Sequence, residues 1–154
     1  VKKYGIGIVI ENMEKIKGAS QINNFQVIVL GIIFDPKERK ILIGRREKDP
    51  HIPKLTWCFP GGRLTNDGEI NKALKEIIKE QTGLNVKNLG AIFAKTYAEK
   101  RDFLAVYFLC EAIGGKVKNG GKIKELKWVK ATELEKHFTT SFHPRLKEYL
   151  LQIA

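Results

Sequence analysis

The chain is poor in several things that decide protein class. It has only two cysteines, Cys58 and Cys110, each inside an apolar, strand-like run. That excludes a disulfide-stapled scaffold and leaves two buried, reduced thiols of a cytoplasmic protein as the expectation. Histidines number three, with no Cys/His spacing of the kind that holds zinc. No apolar run approaches the roughly 20 residues of a membrane span, so no membrane partner is expected. Residues 1–10 are basic and then apolar, but they carry two glycines and no small-residue cleavage site before Glu11, so they read as a strand, not a signal peptide. Acidic residues are scarce as well: 17 against 28 basic ones, for a net charge of +11. A surface of that sign attracts polyanions or focuses a phosphorylated small molecule into a cleft. It also arises from lysine-rich composition alone. The lysines are scattered from Lys2 to Lys147 without one dense block. RNA therefore stands as an alternative partner behind a small phosphate compound.

What is present is one core's worth of apolar sequence. Hydrophobic residues make up 43% of 154, ordinary for a globular domain. There is no internal repeat and no linker, so residues 1–154 read as one domain, with 1–24 as an N-terminal extension or edge strand. Residues 25–34 are almost continuously apolar, the pattern of a buried strand. Residues 35–39 form a turn, and 41–46 a return strand ending in Arg45 and Arg46. Residues 49–56 are a loop, and Trp57 either packs the core or stacks on a base. Two further strands are expected over 89–97 and 103–111. Residues 114–121, rich in glycine and lysine, read as a mobile loop. Thr132 opens a capped helix, and a last helix runs over 145–153. His137 and His143 are general-base candidates, each weighed against an ordinary structural role.

The chain is organised around residues 59–84. Pro60-Gly61-Gly62-Arg63 ends a strand in a glycine loop, where backbone can approach a ligand closely. Asn66-Asp67-Gly68 is turn chemistry able to cap the next helix. Ile70, Ala73, Leu74, Ile77 and Ile78 recur at helical spacing over 69–81. Gly83 is a natural helix stop.

This stretch resembles a Nudix box. Gly62 at its opening and Gly83-Leu84 at its close match the family's signature without a gap, and Lys127-Trp128-Val129 extends the likeness downstream. The likeness to the MutT-like Nudix hydrolases implies an α/β fold, a mixed sheet sandwiched between helices. It implies hydrolysis of a nucleoside diphosphate linked to another moiety, assisted by magnesium or manganese, and a homodimer. The box is degenerate, however. The family's three metal-holding glutamates fall on Ile77, Glu80 and Gln81, and its arginine on Glu76. Magnesium wants hard anionic oxygens in octahedral array; isoleucine offers none and glutamine one neutral carbonyl. Glu80 is then the principal ligand and catalytic carboxylate, with Glu76, Gln81 and the Gly61 carbonyl as the other candidates. Glu76 and Glu80 are four apart and share a helical face, where Glu76 either joins the cation or pairs with Lys72, Lys75 or Lys79. Arg45, Arg46 and Arg63 are the candidates for gripping phosphate. Arg45 and Arg46 alternate in direction, so at most one of the two serves, and the alternative is a solvated strand end pairing with Glu47 or Asp49. Glu125 is either a late catalytic base or a surface strand residue. The alternative function is a catalytically inactive Nudix domain that binds nucleotide or protein.

Overall fold

The computed structural model describes residues 24–65 and 68–153. The strand expected over residues 4–10 and the capping residues Asn66 and Asp67 lie outside them. Strand β1 (Gln26–Asp35) is rich in β-branched residues, and both its faces are buried at the centre. Strand β2 (Lys40–Arg45) folds back from it, but the two pair only at the turn, through Phe34 with Ile41 and Asp35 with Lys40. They then splay. Into the gap come β3 (Trp57–Cys58), which pairs with β2, and β4 (Gly61–Arg63), which pairs with β1. This opening of the sheet puts the glycine loop at its centre.

Strand β5 (Leu84–Thr96) and β6 (Phe103–Gly115) form a long antiparallel pair, and β6 lies parallel to β1 over nine residues. Strand β7 (Glu125–Val129) closes the other edge of β2. The strand order is β3-β2-β1-β6-β5, a mixed seven-stranded sheet. Helix α1 (Ile70–Thr82) covers one face, packing Leu74 and Ile78 on Val29, Ile33, Leu42 and Phe108. Short helix α2 (Leu134–His137) and helix α3 (Pro144–Ile153) cover the other, with Leu134, Leu146 and Leu150 against Ile32, Ile41, Ile43 and Tyr107. The α/β sandwich implied by the resemblance is the architecture observed. No helix among the described residues is long and apolar enough to cross a membrane.

Several boundaries correct the sequence reading. Strand β5 begins five residues earlier than the expected 89, because register shifts at Asn85/Val86 and Asn88/Gly90 break its alternation. Helix α1 is capped by Glu69, whose carboxylate accepts the Asn71 and Lys72 amides at 2.9 Å. Thr132 caps nothing: it lies inside a 3-10 turn, Ala131–Glu133, without a side-chain cap. Both cysteines are buried and unpaired, and burial pushes their thiols up to about 11 for Cys58 and about 12 for Cys110.

Candidate functional site

The splayed hairpin leaves a cleft of about 370 Å³ over β4. Its floor is Ile28 and Leu30 of β1 with Gly61 and Gly62. The loop from Arg46 to Phe59 makes one wall; Tyr97 and Phe103 make the other, and Arg63 and Lys122 also line it. His51 stands edge-on to Phe103, ring centres 5.3 Å apart. The wall loop is shaped by Asp49, whose Oδ1 accepts the His51 and Ile52 amides at 2.9 and 2.8 Å. Its Oδ2 lies 3.7 Å from Arg46 Nη1, and that carboxylate is only 8% exposed.

Gly61 has to be glycine. A Cβ there would stand 2.1 Å from the Val29 carbonyl oxygen and 2.8 Å from Leu30, far inside contact distance. Strand β4 is thereby pressed onto β1 with its peptide group turned to the end of α1. There Gln81, 8% exposed, meets it. The Gly61 N–H donates to Gln81 Oε1 and Gln81 Nε2 donates to the Gly61 carbonyl, both at 2.9 Å. One side-chain amide thus pairs with the two polar groups of one residue in both directions. A carboxylate could accept the first bond but has no proton to give the second.

The same helix end is clasped from the other side. Gly83 ends α1 in the left-handed region at φ 76°, where glycine carries no Cβ penalty. The Gln81 and Thr82 carbonyls, which lack helical partners, accept the amides of Gly120 and Lys118 at 3.2 and 2.9 Å. The segment read as a mobile loop is therefore hydrogen-bonded to the helix end, which corrects that expectation. The Glu80 carboxylate lies over Gly121: a Cβ there would be 3.2 Å from Glu80 Oε1.

The candidate residues separate accordingly. Gly61, Arg46 and Arg63 line the cleft. Gln81 sits beneath it with both amide atoms engaged. Glu76 and Glu80 are exposed on α1 and do not line the cleft. Ile77, half-buried, packs on Gly62, where a Cβ would lie 3.8 Å from its side chain. Arg45 points away from the cleft. Its Nη1 meets Glu47 at 2.6 Å and its Nε meets Glu125 at 3.1 Å. Those carboxylates, Glu47 foremost, raise the Arg45 pKa, and Arg45 in turn holds Glu47 below its usual range. Glu125 is thus a strand-end partner of Arg45. His137 contacts the Glu133 carbonyl at 3.0 Å and sets its ring against Trp57. His143 accepts the Arg145 amide and stacks near Phe93. Neither ring lines the cleft. Sequence reasoning missed Lys122, Asp49, His51 and Phe103 as lining residues. The one available signal was that Lys122 comes directly after two glycines, which permit a close-packed turn.

The magnesium set implied by the resemblance is tested by this donor chemistry. Ile77 has no donor atom, and Gln81 gives its carbonyl oxygen to a peptide N–H. The Gly61 carbonyl accepts an amide proton. Among the described residues no group of three or more His, Cys, Asp or Glu side chains could hold an ion. The residues present do not fit the family's cage.

A mixed sheet opened by a glycine loop, with a helix end locked beneath, leaves a cleft lined in part by Arg46, Arg63 and Lys122. The chain belongs to the NUDIX domain family, whose model matches residues 24–150. It is 32% identical over 113 residues to an ADP-ribose pyrophosphatase of Methanocaldococcus jannaschii, a match covering 71% of this chain and 64% of that relative. It is 36% identical over 59 residues to an 8-oxo-dGTP diphosphatase of Buchnera aphidicola, covering 38% and 43% of the two chains. The chain thus spans less than two thirds of these curated relatives. Its fold is similar to a NUDIX hydrolase from Nitrosomonas europaea, with a TM-score of 0.67 at 19% identity over 84% of this chain and 72% of that one.

Proposed function

We propose that the chain takes a nucleoside diphosphate linked to a second moiety into this cleft and hydrolyses the diphosphate, with ADP-ribose the first compound to try. The observation that carries this reading is the cleft itself. Its volume of about 370 Å³ lies in the range of small-molecule sites, roughly 300–1,000 Å³. It combines a Gly61-Gly62 floor, aromatic walls and the cations Arg46, Arg63 and Lys122. The name of the archaeal relative supports the choice of compound.

In this reading the joined His51 and Phe103 rings offer one aromatic surface to the nucleoside, and Arg63 and Lys122 meet the phosphates. Glu80, the one carboxylate left at the family's three glutamate positions, lies beside Gly121 outside the cleft lining and is the group to be tested as catalytic. Magnesium or manganese, which the family resemblance implies, would supply charge neutralisation at the diphosphate when bound. Glu80 and Glu76 are exposed on α1 but lie outside the cleft lining, and the residues present do not fit the family's ion. A second reading, binding without turnover, is favoured by one observation: Gln81 and Gly61 bond to each other.

The deciding experiment is product release from ADP-ribose, nucleoside diphosphates and sugar nucleotides. It is run with magnesium, with manganese and with excess EDTA, for the parent and Glu80→Gln. Turnover lost in the variant supports hydrolysis. Tight binding without turnover on any compound supports the second reading. A salt titration with RNA tests the polyanion alternative, whose binding would fall steeply with ionic strength.

A further inference from the structure

The glycine floor of the cleft and the segment that carries Lys122 are tied to one helix end by Gln81. Gln81 joins three pieces of chain. Its side chain bonds both polar atoms of the Gly61 backbone, and its own carbonyl accepts the Gly120 amide. Arg63 stands two residues beyond the first contact and Lys122 two residues beyond the second. Lys122 is held further by a turn in which the Ile123 amide donates to the Gly120 carbonyl at 3.0 Å. Both side chains line the same cleft, and neither forms an ion pair within the described residues. A divalent ion in such a site would do two things: tie the helix to the glycine loop, and neutralise diphosphate. Here the amide pair does the first. Two cations on opposite arms of the clasp are placed for the second.

We propose that Arg63 and Lys122, positioned by Gln81, hold the diphosphate of the ligand directly, so that binding is independent of divalent metal. This rests on the proposed function, in which the ligand carries a diphosphate. The arginine offers a forked donor and the lysine a point charge, both suited to phosphate oxygens. In the absence of metal they also meet the phosphates at full negative charge.

The test is calorimetric titration of the full chain with ADP-ribose, with adenosine as the phosphate-free control, in excess EDTA and in excess magnesium. Arg63→Gln and Lys122→Gln are titrated beside the parent. Both sites are exposed, so both variants are expected to fold, which circular dichroism checks. The expected result is ADP-ribose affinity in EDTA equal to or above that in magnesium. Each variant should weaken ADP-ribose about 10-fold, as loss of a charge-assisted hydrogen bond does, and leave adenosine unchanged. ADP-ribose binding that requires magnesium, or that ignores both substitutions, would overturn the proposal while leaving the diphosphate reading intact. Absence of ADP-ribose binding in both buffers would overturn both. A direct readout is the spectrum of manganese by electron paramagnetic resonance. The parent should leave added Mn²⁺ free, and a stoichiometric bound ion would count against the proposal.

Discussion

Replacing Gln81 by glutamate restores the residue type that the family box carries, and the structure says it should harm this chain. The substitution keeps an acceptor for the Gly61 N–H but removes the donor that meets the Gly61 carbonyl at 2.9 Å. Two oxygens would then face each other at a site only 8% exposed. Leaving a buried polar group unsatisfied costs about 1–3 kcal/mol. At the middle of that range the melting temperature of a chain this size falls by about 4–8 °C, taking roughly 2–4 °C per kcal/mol. The effect has a pH signature. A protonated carboxyl can donate to the Gly61 carbonyl, so folding favours the protonated form and the new group's pKa is raised in the folded state. Its stabilising form is fully present below the unfolded value of about 4.3. It is lost as pH rises through the higher folded value. Thermal denaturation of Gln81→Glu and parent, across pH 4.5 to 8 in EDTA, measures this. The deficit should be largest at neutral pH and shrink on acidification. A variant as stable as the parent at pH 7, or a deficit that does not change with pH, would refute the account of the amide pair.

Arg45→Ala should leave ligand affinity at the parent value, because Arg45 is engaged by Glu47 and Glu125 away from the cleft; calorimetry with ADP-ribose reads this out, and any marked weakening would return Arg45 to the site. Glu99→Gln tests a carboxylate that ties the β5–β6 turn to Ser141. Burial alone would raise the Glu99 pKa, but the Ser141 amide and hydroxyl and Lys54 outweigh it and hold it below its ordinary 4.5. Its contribution is therefore present above the ordinary value and lost as pH falls through the depressed one. The melting temperature of the parent should drop more steeply below about pH 5 than that of the variant.

How much of this was legible depends on which interactions are local. The buried strand β1, its return strand, helix α1 and the Gly83 stop come from periodicity and backbone preference, which are properties of neighbouring residues. The helix cap passed to Glu69, because a glutamate ahead of Asn71 and Lys72 reaches two free amides, a geometry that its own residue type does not advertise. Register shifts in β5 hid the strand's first half. At the site, alternation alone sent Arg45 and Arg46 to different surroundings, as expected of successive strand positions. It could not say which surroundings held Glu125, 80 residues away. Nor could it show that Gln81 would meet Gly61, 20 residues distant. Read as an isolated side chain, glutamine is a poor metal ligand; read against a peptide group, it is a matched partner. The stretch 114–121, just before Lys122, looked mobile by composition. Its glycines instead let it lie against the helix end and meet two orphan carbonyls.

The two departures in the box are coupled, and the coupling has a sign that can be measured. Ile77 packs on Gly62 while Gln81 bonds Gly61, so together they seat consecutive residues of β4 on α1. Restoring a carboxylate at position 77 alone loses apolar contact and adds charge beside Glu76 and Glu80. Restoring it at 81 alone loses the donor to Gly61. Without metal, both together add the repulsion between the new carboxylates, so the double variant should be less stable than the sum of the singles. Contacting residues typically show couplings of about 0.5–3 kcal/mol. With magnesium, the double variant presents three adjacent box carboxylates and a cation can bridge them, so the coupling should reverse and become favourable. Denaturant unfolding of the parent, Ile77→Glu, Gln81→Glu and the double variant, each in EDTA and in magnesium, supplies the cycle. Reversal by metal would mean that the fold retains the space for an ion and that these two side chains are what close it. An unfavourable coupling that magnesium leaves untouched would mean that the cleft has diverged beyond those two positions, and that the loss of the cage is not a matter of Ile77 and Gln81 alone.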